Sequence, residues 1–140
     1  MTKLIKIIAA VVVVFCNTVW AHGTDALGPH QGYVQMPGAF HTEVVPSDEK
    51  SISVYLLDME FKNATNTNSS IEAKIVSGRK TQLLTCLSAS HASFRCQAKE
   101  SLFKHGKLVL KANREGAQGN EISYDLPLAL NKHSGMKTSH

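Results

Sequence analysis

The chain lacks the sequence motifs by which several large classes of enzyme are identified. No G-x-S-x-G, no H-E-x-x-H and no phosphate-cradling glycine loop occurs in its 140 residues, which disfavours serine hydrolases, zinc metallopeptidases and P-loop nucleotide-binding proteins. No strand carries a close pair of carboxylates on one face. Aromatic residues make up 6% of the chain. The sequence therefore predicts a protein that is not an enzyme.

Long helical periodicity and one-sided charge are also missing. The formal net charge is +4 with 15 basic residues, and two of these, Lys3 and Lys6, lie in the N-terminal segment discussed next. The remainder is close to neutral. Its basic residues form no stripe and are not interleaved with aromatic residues, so we expect no nucleic-acid partner.

Residues 1–21 have the pattern of an export signal. Lys3 and Lys6 supply the positive start, and Leu4–Phe15 is an apolar run too short for a stop-anchor. Val19 and Ala21 are small residues at the two positions that signal peptidase recognises, and they predict cleavage after Ala21. We therefore expect a periplasmic protein whose mature form contains no membrane span.

Cleavage after Ala21 would make His22 the new amino terminus, where an α-amine and an imidazole can together chelate a metal. The mature chain is then one domain, residues 22–130, with a polar tail at residues 131–140. Cys16 offers an alternative as a lipid-modified cysteine, but Phe15 before it is bulkier than such processing prefers.

Alternation of apolar and polar residues dominates the rest of the chain. Its short segments, separated by turn residues, are Tyr33–Met36, Ala39–Val45, Ser51–Leu57, Ile71–Val76, Thr81–Leu87, Phe94–Ala98, Leu108–Ala112 and Ile122–Leu126. Short strands at this spacing are typical of an antiparallel sandwich. The sequence predicts an all-β, Ig-like β-sandwich of about seven or eight strands.

The mature chain has two cysteines, Cys86 and Cys96. In an exported protein such a pair is most simply a disulfide. A hairpin with its tip at Ser90–Ala92 would place the two cysteines directly opposite each other, near disulfide reach. The alternatives are a metal site with thiolate ligands and a redox-active pair. The C-x9-C spacing, however, matches neither a metal-binding cysteine motif nor the redox motif C-x-x-C.

Histidine is abundant. All seven histidines follow residue 21, and three methionines, Met36, Met59 and Met136, accompany them. Imidazole binds copper and zinc, and thioether sulfur favours Cu(I). This inventory makes copper the expected metal and zinc the second choice.

Hairpin geometry narrows the ligand candidates. With Pro37-Gly38 as a two-residue turn, Val34 faces His41, and Met36 becomes a diagonal neighbour of His41. His30 would lie about 13 Å farther along the strand and must be bent inward by its flanking glycines.

The expected metal ligands are therefore His30, Met36 and His41, with His22 able to fold back towards them. The same histidines also fit a polar surface role, because a single strand histidine is more often a surface or hydrogen-bonded residue than a ligand. His91, His105 and His133 fall in turns or in the tail and are not candidates.

Three segments, Gly28–Gly32, Phe40–Val44 and Val54–Asp58, carry a resemblance. They are similar to small bacterial periplasmic β-sandwich proteins associated with heavy metals, whose relatives occur alone and beside the adaptor subunits of metal-efflux pumps. The resemblance implies periplasmic metal handling, with His30 and His41 at the positions of the recurring histidines, and a periplasmic efflux adaptor as a partner.

The resemblance covers residues 28–58 and has two departures. Gln31 stands where the pattern has a glycine, and Asp58–Phe61 continues where it has a Gly-Pro stretch.

Three functions follow from these observations. The first is a periplasmic copper or zinc binding protein, a buffer or carrier linked to metal efflux. The second is a non-catalytic structural or protein-interaction module of the bacterial envelope, docking through apolar strand edges such as Leu83-Leu84. The third, a copper enzyme built on His22, lacks an aromatic substrate surface, since the one tryptophan lies in the export signal.

Overall fold

Alternating side chains arrange the chain into two stacked sheets. A computed structural model describes residues 27–128. The strands are β1 (Tyr33–Gln35), β2 (His41–Asp48), β3 (Ser51–Leu57), β4 (Ser70–Ser77), β5 (Lys80–Leu83), β6 (Thr85–Ala89), β7 (Ser93–Gln97), β8 (Gly106–Arg114), β9 (Ala117–Gln118) and β10 (Ile122–Leu126). The first sheet has the order β1-β2-β3-β7-β6, and the second has β10-β8-β4-β5 with β9 also on β8. The predicted antiparallel β-sandwich is confirmed, with ten strands among residues 27–128 in place of seven or eight.

The core lies between the two sheets. Every second residue of β3 points inward, so that Ile52, Val54 and Leu56 are fully buried, and Leu108 and Leu110 of β8 meet them from the second sheet. Each such side chain contributes about 1.5–3 kcal/mol when removed from water. These inward rows account for the alternation in the sequence.

The predicted strand Thr81–Leu87 is two strands in different sheets. Leu84 separates them, is buried, and donates its backbone N–H to Ala73 O at 2.9 Å. β5 before it pairs with β4, whereas β6 after it pairs with β7. A single buried residue thus carries the chain from the edge of one sheet to the edge of the other.

The predicted two-residue turn at Pro37-Gly38 is wrong. Val34 pairs with Glu43, two residues away from the predicted partner His41. The connection is longer because it reaches across to the second sheet, where Pro37 O accepts the Asn120 N–H at 2.8 Å. Phe40 closes the loop as a core residue that is 1% exposed. A shift of two residues preserves the face on which each side chain lies.

The predicted disulfide is confirmed. Cys86 and Cys96 are joined, pair directly across β6 and β7, and have Cα atoms 4.0 Å apart. The hairpin tip lies at Ser90–Ala92 as expected, with His91 and Ala92 in the left-handed region.

The predicted export signal (1–21) and tail (131–140) lie outside the described residues, as does His22. Between residues 27 and 128 there is no helix long and apolar enough to cross a membrane.

A buried hydroxyl pair joins the two sheets. The Thr42 and Tyr124 oxygens are 2.9 Å apart, and both residues are buried. Burial disfavours the phenolate and raises the pKa of Tyr124 well above its ordinary value near 10. The hydrogen bond with Thr42 lowers this pKa and the charge of Glu43 raises it, but both effects are smaller than that of burial. The folded protein therefore keeps this proton at pH values where the unfolded chain loses it.

This difference predicts that the protein becomes less stable in alkali. Above about pH 10 the unfolded state binds fewer protons, so the free energy of unfolding should fall by up to about 1.4 kcal/mol per pH unit on account of Tyr124. Urea unfolding between about pH 8 and about pH 11 measures this slope. The Tyr124→Phe variant should show a flatter slope. Parallel pH profiles for the two proteins would contradict the assignment.

Candidate metal centre

The outer face of the first sheet holds both described candidate histidines. His41 and Glu43 point outward from β2, because Thr42 and Val44, which alternate with them along the strand, point into the core. All four residues are nevertheless buried. Two loops, residues 28–32 and residues 58–63, cover this part of the outer face.

Glu43 is the centre of the first loop. Its carboxylate is fully buried, and its Oε1 accepts the backbone N–H groups of His30 at 2.7 Å and Gly32 at 3.0 Å. Its Oε2 lies 2.7 Å from His30 Nδ1. Burying a carboxylate is costly unless it is paired and hydrogen-bonded, and here all three partners come from one short loop. The loop and Glu43 therefore hold each other in place.

Two glycines allow this close approach. A Cβ at Gly28 would overlap the carboxyl group of Glu43, and a Cβ at Gly32 would lie 2.6 Å from Val44 O. The loop closes on itself through the Gly28 N–H to Gly32 O bond of 2.9 Å. Gln31, which replaces a glycine of the resembling pattern, has a φ of 60°, a conformation that favours glycine. The predicted inward bend of His30 is thus present and has a steric basis.

His30 is fixed in position and tautomer by its neighbours. Its ring stacks on Tyr55 with centroids 3.7 Å apart, and its Nδ1 contacts the Glu43 carboxylate. An ionised carboxylate only accepts, so Nδ1 carries the hydrogen and the lone pair of the neutral ring is on Nε2. The side chain is 37% exposed. Burial, with the charge of Glu43, raises the pKa of Tyr55 above its ordinary value.

His41 has the same chemical arrangement. Its Nδ1 donates to Asp58 O at 3.0 Å. A carbonyl oxygen cannot donate, so the lone pair of the neutral ring is again on Nε2. The ring stacks on Phe61 with centroids 4.0 Å apart and is 8% exposed.

Asp58 organises the loop that covers His41. Its carboxylate accepts the backbone N–H groups of Lys62 and Glu60 and the side-chain amide of Asn63. These hydrogen bonds, the one from Lys62 foremost, hold the pKa of Asp58 below its usual range. Phe61 has a φ of 61°, which is strained for a bulky residue and is sustained by its surroundings. The loop thus presents Phe61 to the His41 ring.

The remaining candidates are less closely assembled. Met36 and Met59 are 57% and 52% exposed, and strand alternation continued from Val34 puts Met36 on the outer face. Within residues 27–128, no group of three or more His, Cys, Asp or Glu side chains is placed to hold a metal. The fold therefore brings His30 and His41 to one face but does not build a closed cage. His91 and His105 lie exposed in turns.

The regular hairpin pairing predicted from the sequence puts Glu43 on the same face as His41, two residues along the strand, but the sequence analysis assigned no role to Glu43, Tyr55, Asp58 or Phe61. The available signal was a charged residue directly before two valines, Val44 and Val45. A buried glutamate requires partners, and the glycine-flanked loop before it was the nearest source.

Comparisons with known proteins add no identity. The chain matches no family model, no curated protein and no solved structure.

Proposed function

We propose that this is a periplasmic metal-binding protein, a copper buffer or carrier in which His30 and His41 provide the first ligands. The observation that carries the proposal is that the two imidazole rings are hydrogen-bonded in the same way. Each is anchored through Nδ1, to Glu43 or to Asp58 O, and each keeps its lone pair on Nε2. Metal-ligating histidines are oriented in this way, by a carboxylate or a carbonyl on the other ring nitrogen.

The ligand chemistry favours copper, with zinc as the second metal. Imidazole suits both metals, and the exposed thioether of Met36 is a soft ligand that favours Cu(I). Two imidazoles leave coordination positions open. His22 of the mature terminus can fill one of them, and a partner's ligand can enter another. An open site of this kind suits transfer to an efflux adaptor.

Export supports the same function. The N-terminal pattern ends at Ala21, and the Cys86–Cys96 disulfide is of the kind that persists in an oxidising compartment. The resemblance over residues 28–58 points to periplasmic proteins associated with heavy metals. The expected periplasmic location and the candidate histidine ligands therefore support the same proposed function, metal binding.

A protein-interaction module is the second candidate. Leu83 and Leu87 lie on the edge strands β5 and β6 and are 75% and 67% exposed, whereas Leu84, predicted to share that surface, is buried. Exposed edge strands are common docking sites for other chains. In this function the histidines would be structural.

Copper titration separates the two candidates. We expect one copper ion per chain, with affinity falling as the solution is made more acidic, because imidazole must be neutral to coordinate. The His41→Ala variant should bind at least about tenfold more weakly, whereas His91→Ala, at the exposed hairpin tip, should bind like the wild type. Calorimetry of the exported protein measures both. Equal affinities for the two variants would favour the interaction module.

A further inference from the structure

A basic concavity lies on the second sheet, apart from the histidine face. Lys80 of β5 and Lys99 and Lys104 of the loop between β7 and β8 line a depression of about 710 Å³, with Glu100 as its acidic member. Lys80 is about 20 residues from Lys99 and Lys104 in the sequence, so the fold and not the local sequence brings it to their depression.

The depression is held together by hydrogen bonds between side chains of the sheet and the backbone of the β7–β8 loop. Gln82 of β5 turns its side-chain amide oxygen towards the loop, where it accepts the N–H groups of Lys99 and Glu100. On the other side, Ser77 Oγ donates to His105 O at 3.0 Å. These hydrogen bonds therefore fix the position of the loop that carries Lys99 and Lys104.

None of the three lysines forms an ion pair with another residue of the described range 27–128. Among residues 27–128, the lysines in ion pairs are Lys74, with Glu121, and Lys107, with Asp125. Because the mature chain is nearly neutral overall, three lysines around one depression form a local positive field.

Apolar side chains accompany this charge. Leu83 lines the same depression and is 75% exposed, and Phe103, next to Lys104, is 39% exposed. Lysines beside exposed leucine and phenylalanine are the combination found on surfaces that rest on lipid headgroups, where the apolar residues enter the acyl boundary and the lysines contact phosphate. Nucleic acid would instead favour aromatic residues in a row for base stacking.

We propose that this surface, formed by Lys80, Leu83, Lys99, Phe103 and Lys104, docks the protein on an anionic phospholipid membrane. The partner is chosen by charge complementarity together with the two exposed apolar side chains. This surface lies at the β5 edge of the second sheet and does not include His30 or His41. The proposal is independent of metal binding.

Vesicle co-sedimentation of the full exported chain tests it. Wild type should bind phosphatidylglycerol vesicles and not phosphatidylcholine vesicles, and binding should weaken with salt. Each lysine at an anionic surface is worth about fivefold in affinity, so Lys80→Gln/Lys99→Gln/Lys104→Gln should bind on the order of a hundredfold more weakly. Leu83→Ser should weaken binding without changing its salt dependence.

A matched triple variant provides the control. Lys50→Gln/Lys62→Gln/Arg95→Gln changes the net charge equally at exposed positions outside the depression and outside the second sheet and should bind vesicles like the wild type. Equal losses in the two triple variants, or equal binding to both kinds of vesicle, would overturn the proposal. So would preferential binding of a single-stranded oligonucleotide or an acidic peptide.

Discussion

Replacing His30 and His41 together by glutamine should lower copper affinity on the order of a hundredfold or more. Glutamine retains an N–H donor for the Glu43 carboxylate and for Asp58 O, the two groups that hold the histidine rings. It supplies no imidazole nitrogen. The loss should therefore be a loss of ligands in a folded protein, and calorimetric titration with copper measures it.

The control for this double variant is His91→Gln/His105→Gln, which removes two exposed histidines from turns. It should keep the wild-type affinity, and circular dichroism should show the same strand content for all three proteins. If the His30→Gln/His41→Gln variant still binds copper like the wild type, the metal is held elsewhere and the proposed centre is wrong.

Removing the buried carboxylate should have the largest effect on stability. Glu43→Ala deletes the acceptor of two backbone N–H groups and the partner of the His30 ring, and it leaves a void where the side chain was. Unsatisfied buried donors cost about 1–3 kcal/mol each, although part of the loop can turn to water. We expect the free energy of unfolding to fall by about 3 kcal/mol, as measured by urea denaturation.

Two further variants make the result specific. Glu43→Gln keeps the shape and an acceptor for both backbone N–H groups, so it should be less destabilising than Glu43→Ala. Glu72→Ala, at an exposed position on β4, should change stability by less than about 0.5 kcal/mol. A Glu43→Ala protein as stable as Glu72→Ala would show that loop 28–32 is held by other contacts.

The sequence predicts the sandwich well because alternation reports directly on which side chains enter the core. It also predicts the Cys86–Cys96 pairing, because a short hairpin fixes which residues are opposite each other. It does not predict the β1–β2 register, which is set by Phe40 entering the core and Pro37 bonding to the second sheet. Such contacts join residues about 80 positions apart, as in Pro37 to Asn120, and leave no local pattern.

The same limit applies to the site and to the lysine surface. The sequence identifies His30 and His41 as candidates and anticipates the bend at the glycines. It does not reveal that Glu43 is buried beneath the loop, since a strand glutamate usually faces water. Nor does it place Lys80 and Lys99 around one depression, because that arrangement depends on Leu84 carrying the chain from one sheet edge to the other.

The crossover at Leu84 also makes the two sides of the sandwich unequal in their resistance to local opening. On its side, continuous backbone links the sheets, and the neighbouring disulfide joins β6 to β7 within the first sheet. On the opposite side, β1 is three residues long and reaches the second sheet through the bond from Gln35 Nε2 to Ser123 O. We expect backbone amides of β1 and the attached His30 loop to exchange with solvent before those of β6 and β7. A bound ion could then leave through this edge while the rest of the protein stays folded.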